Sequence, residues 1–286
     1  MKIKDKNVII TGGSIGFGKS LAEKFLNEGA NVSICSRNEI QLFDTQSELM
    51  SKFPNQIILA KKCDVSIEKD VKEFITYSID VFKTIHVLIL NAGVYGPMGP
   101  VETISLDEWK KSIDINLFGV LLPCRELIPH FKQNKFGKII VISGGGATSP
   151  MPNLSSYATS KAAIVRLAET LSKELSSYNV DVNAIAPGAL STRMMDQVIS
   201  AGPEIVGEEF FKKNQTWKQS GATPMELGTN LAVYLASDRS NAITGKLISA
   251  QWDDWKNFDN HLDDLLNTDL YTLRRIVLED RNKKWN

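Results

Sequence analysis

The sequence predicts an α/β fold: a doubly wound parallel sheet with helices on both faces, in a single domain. Three observations predict it. Short apolar runs alternate with longer amphipathic stretches along the chain. Several runs lack clean alternation and are apolar on both faces, as strands sandwiched between helix layers must be. A glycine-rich turn joins the first run directly to the first helix. Alternating strands and helices imply parallel strands joined by crossover helices.

The runs read as strands are Val8–Thr11, Val32–Ser36, Ile57–Lys61, Val87–Asn91, Lys138–Ser143, Val180–Ala186 and Lys246–Ala250. Helices are expected over Gly18–Glu28, Glu39–Phe53, Ile67–Phe82, Leu106–Lys132, Ser155–Ser177 and Pro224–Ala236. Ser105 and Glu108 form a capping box for the fourth helix, and Ser66 is placed to cap the third. One catalytic domain over residues 1–250 follows, without internal repeats or a low-complexity linker. Residues 189–222 break the rhythm at the carboxyl end of a strand, a natural place for a substrate lid. Residues 251–286 form a tail rich in aromatic and charged residues, which must pack against something because exposed aromatics at that density are costly.

Composition narrows the function. The chain has 286 residues, 43% of them hydrophobic, and its 33 basic and 33 acidic residues cancel. No basic field is present to hold nucleic acid. No apolar stretch approaches the ~20 residues of a membrane helix, and the run after the N-terminal basic stretch is too short for a signal-peptide core. The expectation is a cytoplasmic protein acting on a small molecule. Cys35, Cys63 and Cys124 form no C-x-x-C pair, and His86, His130 and His261 are scattered, so no metal site is expected.

The first strand runs into Thr11-Gly-Gly-Ser-Ile-Gly-Phe-Gly18. Gly12 permits a sharp exit, Ser14 and Ile15 carry the turn, and Gly16 and Gly18 let backbone approach a pyrophosphate at the helix N-terminus. Further motifs follow: Asn91, Ala92 and Gly93 after the fourth strand, Asn116 on the fourth helix, Tyr157 with Lys161, and Pro187-Gly188 with Thr192 after the sixth strand. In type, order and spacing these resemble the short-chain dehydrogenase/reductase family over residues 5–250. The resemblance implies a Rossmann-like fold and hydride transfer between a nicotinamide and a ketone or secondary alcohol.

Tyr157 and Lys161 are four residues apart and share a helix face. A nearby ammonium favours a phenolate, so Lys161 is expected to lower the Tyr157 pKa and make it a proton-transfer group. The resemblance adds that Lys161 holds the nicotinamide ribose and that Asn116 anchors a water in a proton relay. The family's carbonyl-polarising serine, thirteen residues before the tyrosine, is replaced by Gly144. Ser143 is the best candidate to stand in, with Thr148, Ser149 and the backbone amides of the glycine turn as alternatives. This departure keeps a second reading open, a cofactor-binding redox sensor with weak or no catalysis.

At the end of the second strand, Ser36 and Arg37 stand where an acid would repel a 2′-phosphate. That favours NADP over NAD, and Asp64 and Val65 resemble the pair that contacts adenine. Tyr95, Met98, Met151, Met194 and Met195 are candidate pocket liners. A homodimer or homotetramer is expected, with Leu117, Phe118, Leu121 and Leu122 as apolar surface on the helices that pair subunits in the family.

Overall fold

The computed structural model of the chain describes residues 3–285. Met1 and Lys2, which open the N-terminal basic stretch, and Asn286, which ends the tail, lie outside the described residues. Seven strands form one sheet: β1 (Asn7–Thr11), β2 (Asn31–Ser36), β3 (Ile58–Lys62), β4 (Val87–Leu90), β5 (Gly137–Ile142), β6 (Val180–Ala186) and β7 (Leu247–Ser249). Their order is β3-β2-β1-β4-β5-β6-β7, with every neighbouring pair parallel. The order reverses between β1 and β4, and the carboxyl ends of those strands open the crevice where such sheets bind ligands.

The helices divide between the two faces. On one, α1 (Gly16–Asn27), α2 (Glu39–Lys52) and α10 (Met225–Ala236) bury Phe25, Leu42 and Leu231 against Val8, Ile10 and Ile34. On the other, α3 (Glu68–Phe82), α5 (Gly119–Asn134) and α6 (Ser155–Glu174) bury Phe74, Leu127 and Ile164 against Ile9, Leu88 and Val141. Adjacent residues of one strand, Val8 and Ile9, thus belong to opposite core layers. That is why strands such as β1 and β4 read as near-continuous apolar runs.

Two local expectations are corrected. The long fourth helix is α4 (Leu106–Ile113), a π-helical turn over Asp114–Phe118, and then α5. The Gly119 N–H reaches back to the Asp114 carbonyl, and Pro123 has no N–H to return to the Gly119 carbonyl. Ser105 caps α4, accepting from the Glu108 N–H at 3.3 Å. Ser66 does not cap α3; its hydroxyl donates to Asp64 Oδ1 at 2.6 Å. Asn38 caps α2 instead, accepting from the Gln41 N–H.

Residues 189–222 contain three helices, α7 (Arg193–Ala201), α8 (Pro203–Val206) and α9 (Glu208–Ser220), seated through buried Met195, Val198 and Val206. The tail folds back on the body. Trp255, Phe258 and Leu265 are buried in the same core layer as Phe25 and Tyr234, and α11 (Leu262–Asn267) follows. The tail also covers the β7 edge: the Leu247 N–H donates to the Tyr271 carbonyl at 2.7 Å. Lys246 Nζ donates to the Thr268 and Leu270 carbonyls at 3.0 and 2.9 Å. No helix among the described residues is long and apolar enough to cross a membrane.

Candidate active site

The crevice between β1 and β4 is built on glycines that have no room for a side chain. Gly12 has φ +65°, and a Cβ there would lie 3.0 Å from Ala92 Cα. A Cβ on Gly18 would overlap the Gly12 carbonyl oxygen, so only glycine lets α1 start this close to β1. Asn91 ties the two strand ends together, its Nδ2 donating to the Thr11 and Gly12 carbonyls, each at 3.1 Å. Thr11 Oγ1 accepts the Asn91 and Ala92 amides in return. The Ser14 carbonyl is held by Thr45 Oγ1 at 2.8 Å, and Ile15 is exposed at the N-cap of α1. Thr192, far along the chain from β1, comes back to this turn: its Cγ2 lies 3.5 Å from the Cβ position of Gly16.

The rest of the cradle follows from the sheet. Ser36 and Arg37 end β2 beside Asp64, and Arg37 Nη1 lies 3.9 Å from Asp64 Oδ2 with its side chain half exposed. Val65 is buried against Gly119, where a Cβ would come within 2.6 Å of Val65 Cγ2. Pro187 packs beside Gly228, and Gly188, at φ +96°, packs against Thr223. An amide-rich, glycine-rich turn at a helix N-terminus suits a pyrophosphate, so these residues fit a dinucleotide.

The proton-transfer candidates converge next to this cradle. Tyr157 and Lys161 are both buried on α6. Lys161 Nζ donates to the Ile142 carbonyl at 2.8 Å and lies 5.6 Å from the centre of the Tyr157 ring. A Cβ on Gly93 would be 3.6 Å from Lys161 Nζ and 3.3 Å from Asn116 Oδ1, so three motifs meet at one glycine. Asn116 sits in the π-turn and grips one residue twice, accepting the Val94 N–H and donating to the Val94 carbonyl, each at 2.8 Å. Its Nδ2 also donates to Ser160 Oγ at 3.0 Å.

The electrostatics of the pair reverse the expectation for the tyrosine. Burial pushes the Tyr157 hydroxyl well above its ordinary pKa, and the neighbouring Tyr95 adds to the rise. Burial equally disfavours the ammonium of Lys161, bringing its pKa down to about 8. Desolvation is the leading cause of both shifts, and Lys161 Nζ donates to the Ile142 carbonyl. In this state Tyr157 is a protonated acid, set up to donate.

Ser143 takes a different partner. It is buried, and its hydroxyl makes its hydrogen bond to the Lys161 carbonyl at 3.4 Å. The strand alternation that separates residues 143 and 144 holds to the end of β5, where the Ser143 N–H still pairs with the Ile185 carbonyl at 2.7 Å. Gly144 lies against Tyr157, Thr148 and Ser149 are exposed, and Gly145–Ala147 form a 3₁₀ turn. Tyr95, read from the sequence as a pocket liner only, packs edge-on against the Tyr157 ring with centroids 4.7 Å apart. Its place two residues after Gly93 was the available signal.

The model of the short chain dehydrogenase family matches residues 6–202. The chain belongs to the short chain dehydrogenase family. It is 30% identical over 243 residues to levodione reductase of Leifsonia aquatica, covering 84% of this chain and 90% of the relative. The crystal structure of levodione reductase superposes with a TM-score of 0.79 at 26% identity, covering 87% of this chain and 96% of that one. Diacetyl reductase [(S)-acetoin forming] of Staphylococcus epidermidis (strain ATCC 12228 / FDA PCI 1200) is 30% identical over 249 residues, 85% of this chain and 96% of the relative. A 3-ketoacyl-(acyl-carrier-protein) reductase from Brucella melitensis, complexed with NADH, has a TM-score of 0.76 at 26% identity, covering 87% of this chain and 97% of that one.

This short chain dehydrogenase is therefore an oxidoreductase of the CH–OH/C=O class, in a family that uses nicotinamide cofactors. The comparisons lend no support to the redox-sensor alternative. One solved relative, the Brucella melitensis reductase at 26% identity, is complexed with NADH.

Proposed function

We propose that this short chain dehydrogenase reduces a small, uncharged ketone with NADPH, with Tyr157 as the proton donor. The observation that carries the reading is the meeting of Tyr157, Lys161, Asn116 and Gly93 beside the glycine cradle. The bound nicotinamide supplies hydride. Gly12, Ser14, Ile15, Gly16 and Gly18 carry the pyrophosphate turn, with Thr192 and the Pro187-Gly188 turn closing over it. Asn91, Ala92 and Gly93 line the crevice, and Asp64 and Val65 border the adenine end. Lys161 holds the ribose through its ammonium, a task that the Ile142 carbonyl prepares by fixing the side chain. Tyr157 transfers its proton to the carbonyl oxygen, and Asn116 fixes the backbone at Val94 on which the pocket wall depends.

Arg37 and Ser36 favour the 2′-phosphate, since no acid ends β2 and the guanidinium is half exposed. Helices α7–α9 act as the substrate lid. Leu117, Leu121 and Leu122 are part-exposed and Phe118 is exposed at the junction with α5, and they support a subunit contact. The test is reduction of levodione, diacetyl and glucono-δ-lactone followed by absorbance of NADPH and of NADH. Turnover of either ketone with NADPH is expected. Failure of both cofactors with every carbonyl would reject the reading.

A further inference from the structure

Two groups ordinarily act on the carbonyl oxygen during hydride transfer, one that gives the proton and one that polarises the bond. This chain has Tyr157 for the first. The position that would supply the second is Gly144, which has no side chain, and Ser143 spends its hydroxyl on the Lys161 carbonyl. Thr148 and Ser149 are exposed. One further phenol ring packs close by. The Tyr95 ring meets the Tyr157 ring edge-on, at 4.7 Å between centroids and 62° between planes. Neither phenol makes a hydrogen bond among the described residues, although both are substantially shielded.

The backbone around Tyr95 is tied down by hydrogen bonds. Thr11 accepts the amides of Asn91 and Ala92. Asn116 grips both polar groups of Val94. The Tyr95 carbonyl accepts from Ser156 Oγ at 3.4 Å, the residue beside Tyr157. Gly96, at φ +72°, fits against Ser112 and Ser156 where a Cβ would come within 2.6–2.7 Å of both. Residues 91–98 are all part-exposed, as the wall of a cleft is. Such a wall meets the demand of a catalytic donor for a fixed geometry.

Resting on the reductase reading above, we propose that Tyr95 is a second catalytic hydroxyl, donating a hydrogen bond to the substrate carbonyl oxygen in place of the missing serine. The carbonyl carbon gains a hydride from reduced nicotinamide, which is oxidised. The π electrons pass to oxygen, which takes the phenolic proton of Tyr157, and Tyr157 recovers a proton from water. Tyr95 keeps its own proton throughout. Burial alone raises its pKa to about 12, so it stays a neutral donor at physiological pH.

The test compares the full-length chain with Tyr95→Phe and Tyr157→Phe, using diacetyl as the probe. Fluorescence titration with NADPH and thermal melting should be unchanged in Tyr95→Phe. Its kcat for diacetyl should fall by ~10²-fold, the scale of a lost oxyanion donor. Diacetyl binding to the chain loaded with oxidised cofactor should weaken by ~10-fold, about one lost hydrogen bond. A Tyr95→Phe variant with wild-type turnover, beside an inactive Tyr157→Phe, would overturn the Tyr95 role and leave the reductase reading standing. Wild-type rates in both variants would overturn both. Loss of cofactor binding or of melting temperature in Tyr95→Phe would make Tyr95 a structural residue and reject the proposal. A wild-type chain that neither reduces nor binds diacetyl would reject it as well.

Discussion

The Tyr157 hydroxyl lies 2.8 Å from the point where a side chain on Gly144 would begin. Gly144 is fully extended, with φ 179° and ψ 177°, a conformation open to any residue. Glycine is required there by space and not by backbone strain. A Cβ would have to displace the end of the tyrosine ring, which packs edge-on against Tyr95.

Gly144→Ala should therefore act on chemistry and leave the cofactor in place. The expected result is a fall in kcat of about tenfold or more, as a proton donor moved off its geometry loses part of its contribution. Cofactor affinity, read by fluorescence, should stay within about twofold of wild type. An unchanged kcat would show that the tyrosine has room the structure does not give it.

Tyr157→Phe removes only the hydroxyl and keeps the contact with Tyr95. Turnover should fall by ~10²–10⁴-fold with near-normal cofactor binding. Lys161→Met should impair both.

Lys161 itself should titrate near 8 in the cofactor-free chain. Its folded pKa is depressed below the unfolded value, so the unfolded chain binds the extra proton between about pH 8 and 10.5. This residue's contribution to stability therefore rises as pH rises through that window, where the penalty for burying the ammonium disappears. NMR of isotopically dimethylated lysines should show one resonance titrating near 8 that is absent from Lys161→Met. Finding every lysine at its ordinary value would refute the assignment.

Cofactor choice should turn on Arg37. Arg37→Asp is expected to weaken NADPH by ~10-fold or more while changing NADH little, since a charge-assisted contact is exchanged for repulsion. Isothermal titration of both cofactors decides this, and an unaltered preference would remove Arg37 from the role.

The tail should matter to folding. Trp255 is buried against Tyr234, with ring centres 5.9 Å apart, and its Nε1 donates to the Ala250 carbonyl at 3.1 Å. Trp255→Ala should cost ~3–5 kcal/mol, the usual range for a large buried aromatic. Truncation after Ala250 removes Trp255, Phe258 and Leu265 together and uncovers the β7 edge, so an aggregated or molten product is expected. A truncated chain with a wild-type denaturation midpoint would contradict this packing.

Much of this protein was readable along the chain because the signals are local. A strand buried on both faces is rich in apolar residues, and Val180–Ala186 is found at the bounds its composition indicates. The glycine turn declares itself because a helix that starts immediately after a strand needs residues without Cβ atoms. Tyr157 and Lys161 share a face because helical spacing alone puts them there.

Tertiary structure decided what depends on neighbours distant in sequence. Strand alternation separated Ser143 from Gly144, but only the packing of α6 on β5 showed that the serine meets a backbone carbonyl and the glycine meets the tyrosine. The π-turn that aims Asn116 at Val94 is invisible in a periodic pattern, since one inserted residue barely shifts it. The direction of the Tyr157 pKa depends on how much water the assembled core excludes, which spacing to a lysine does not report. The tail's aromatic residues called for a partner, and the fold supplied one in α10 and the open edge of β7. Spacing along a chain sets which side chains can share a face; which faces meet is decided by strand order and burial.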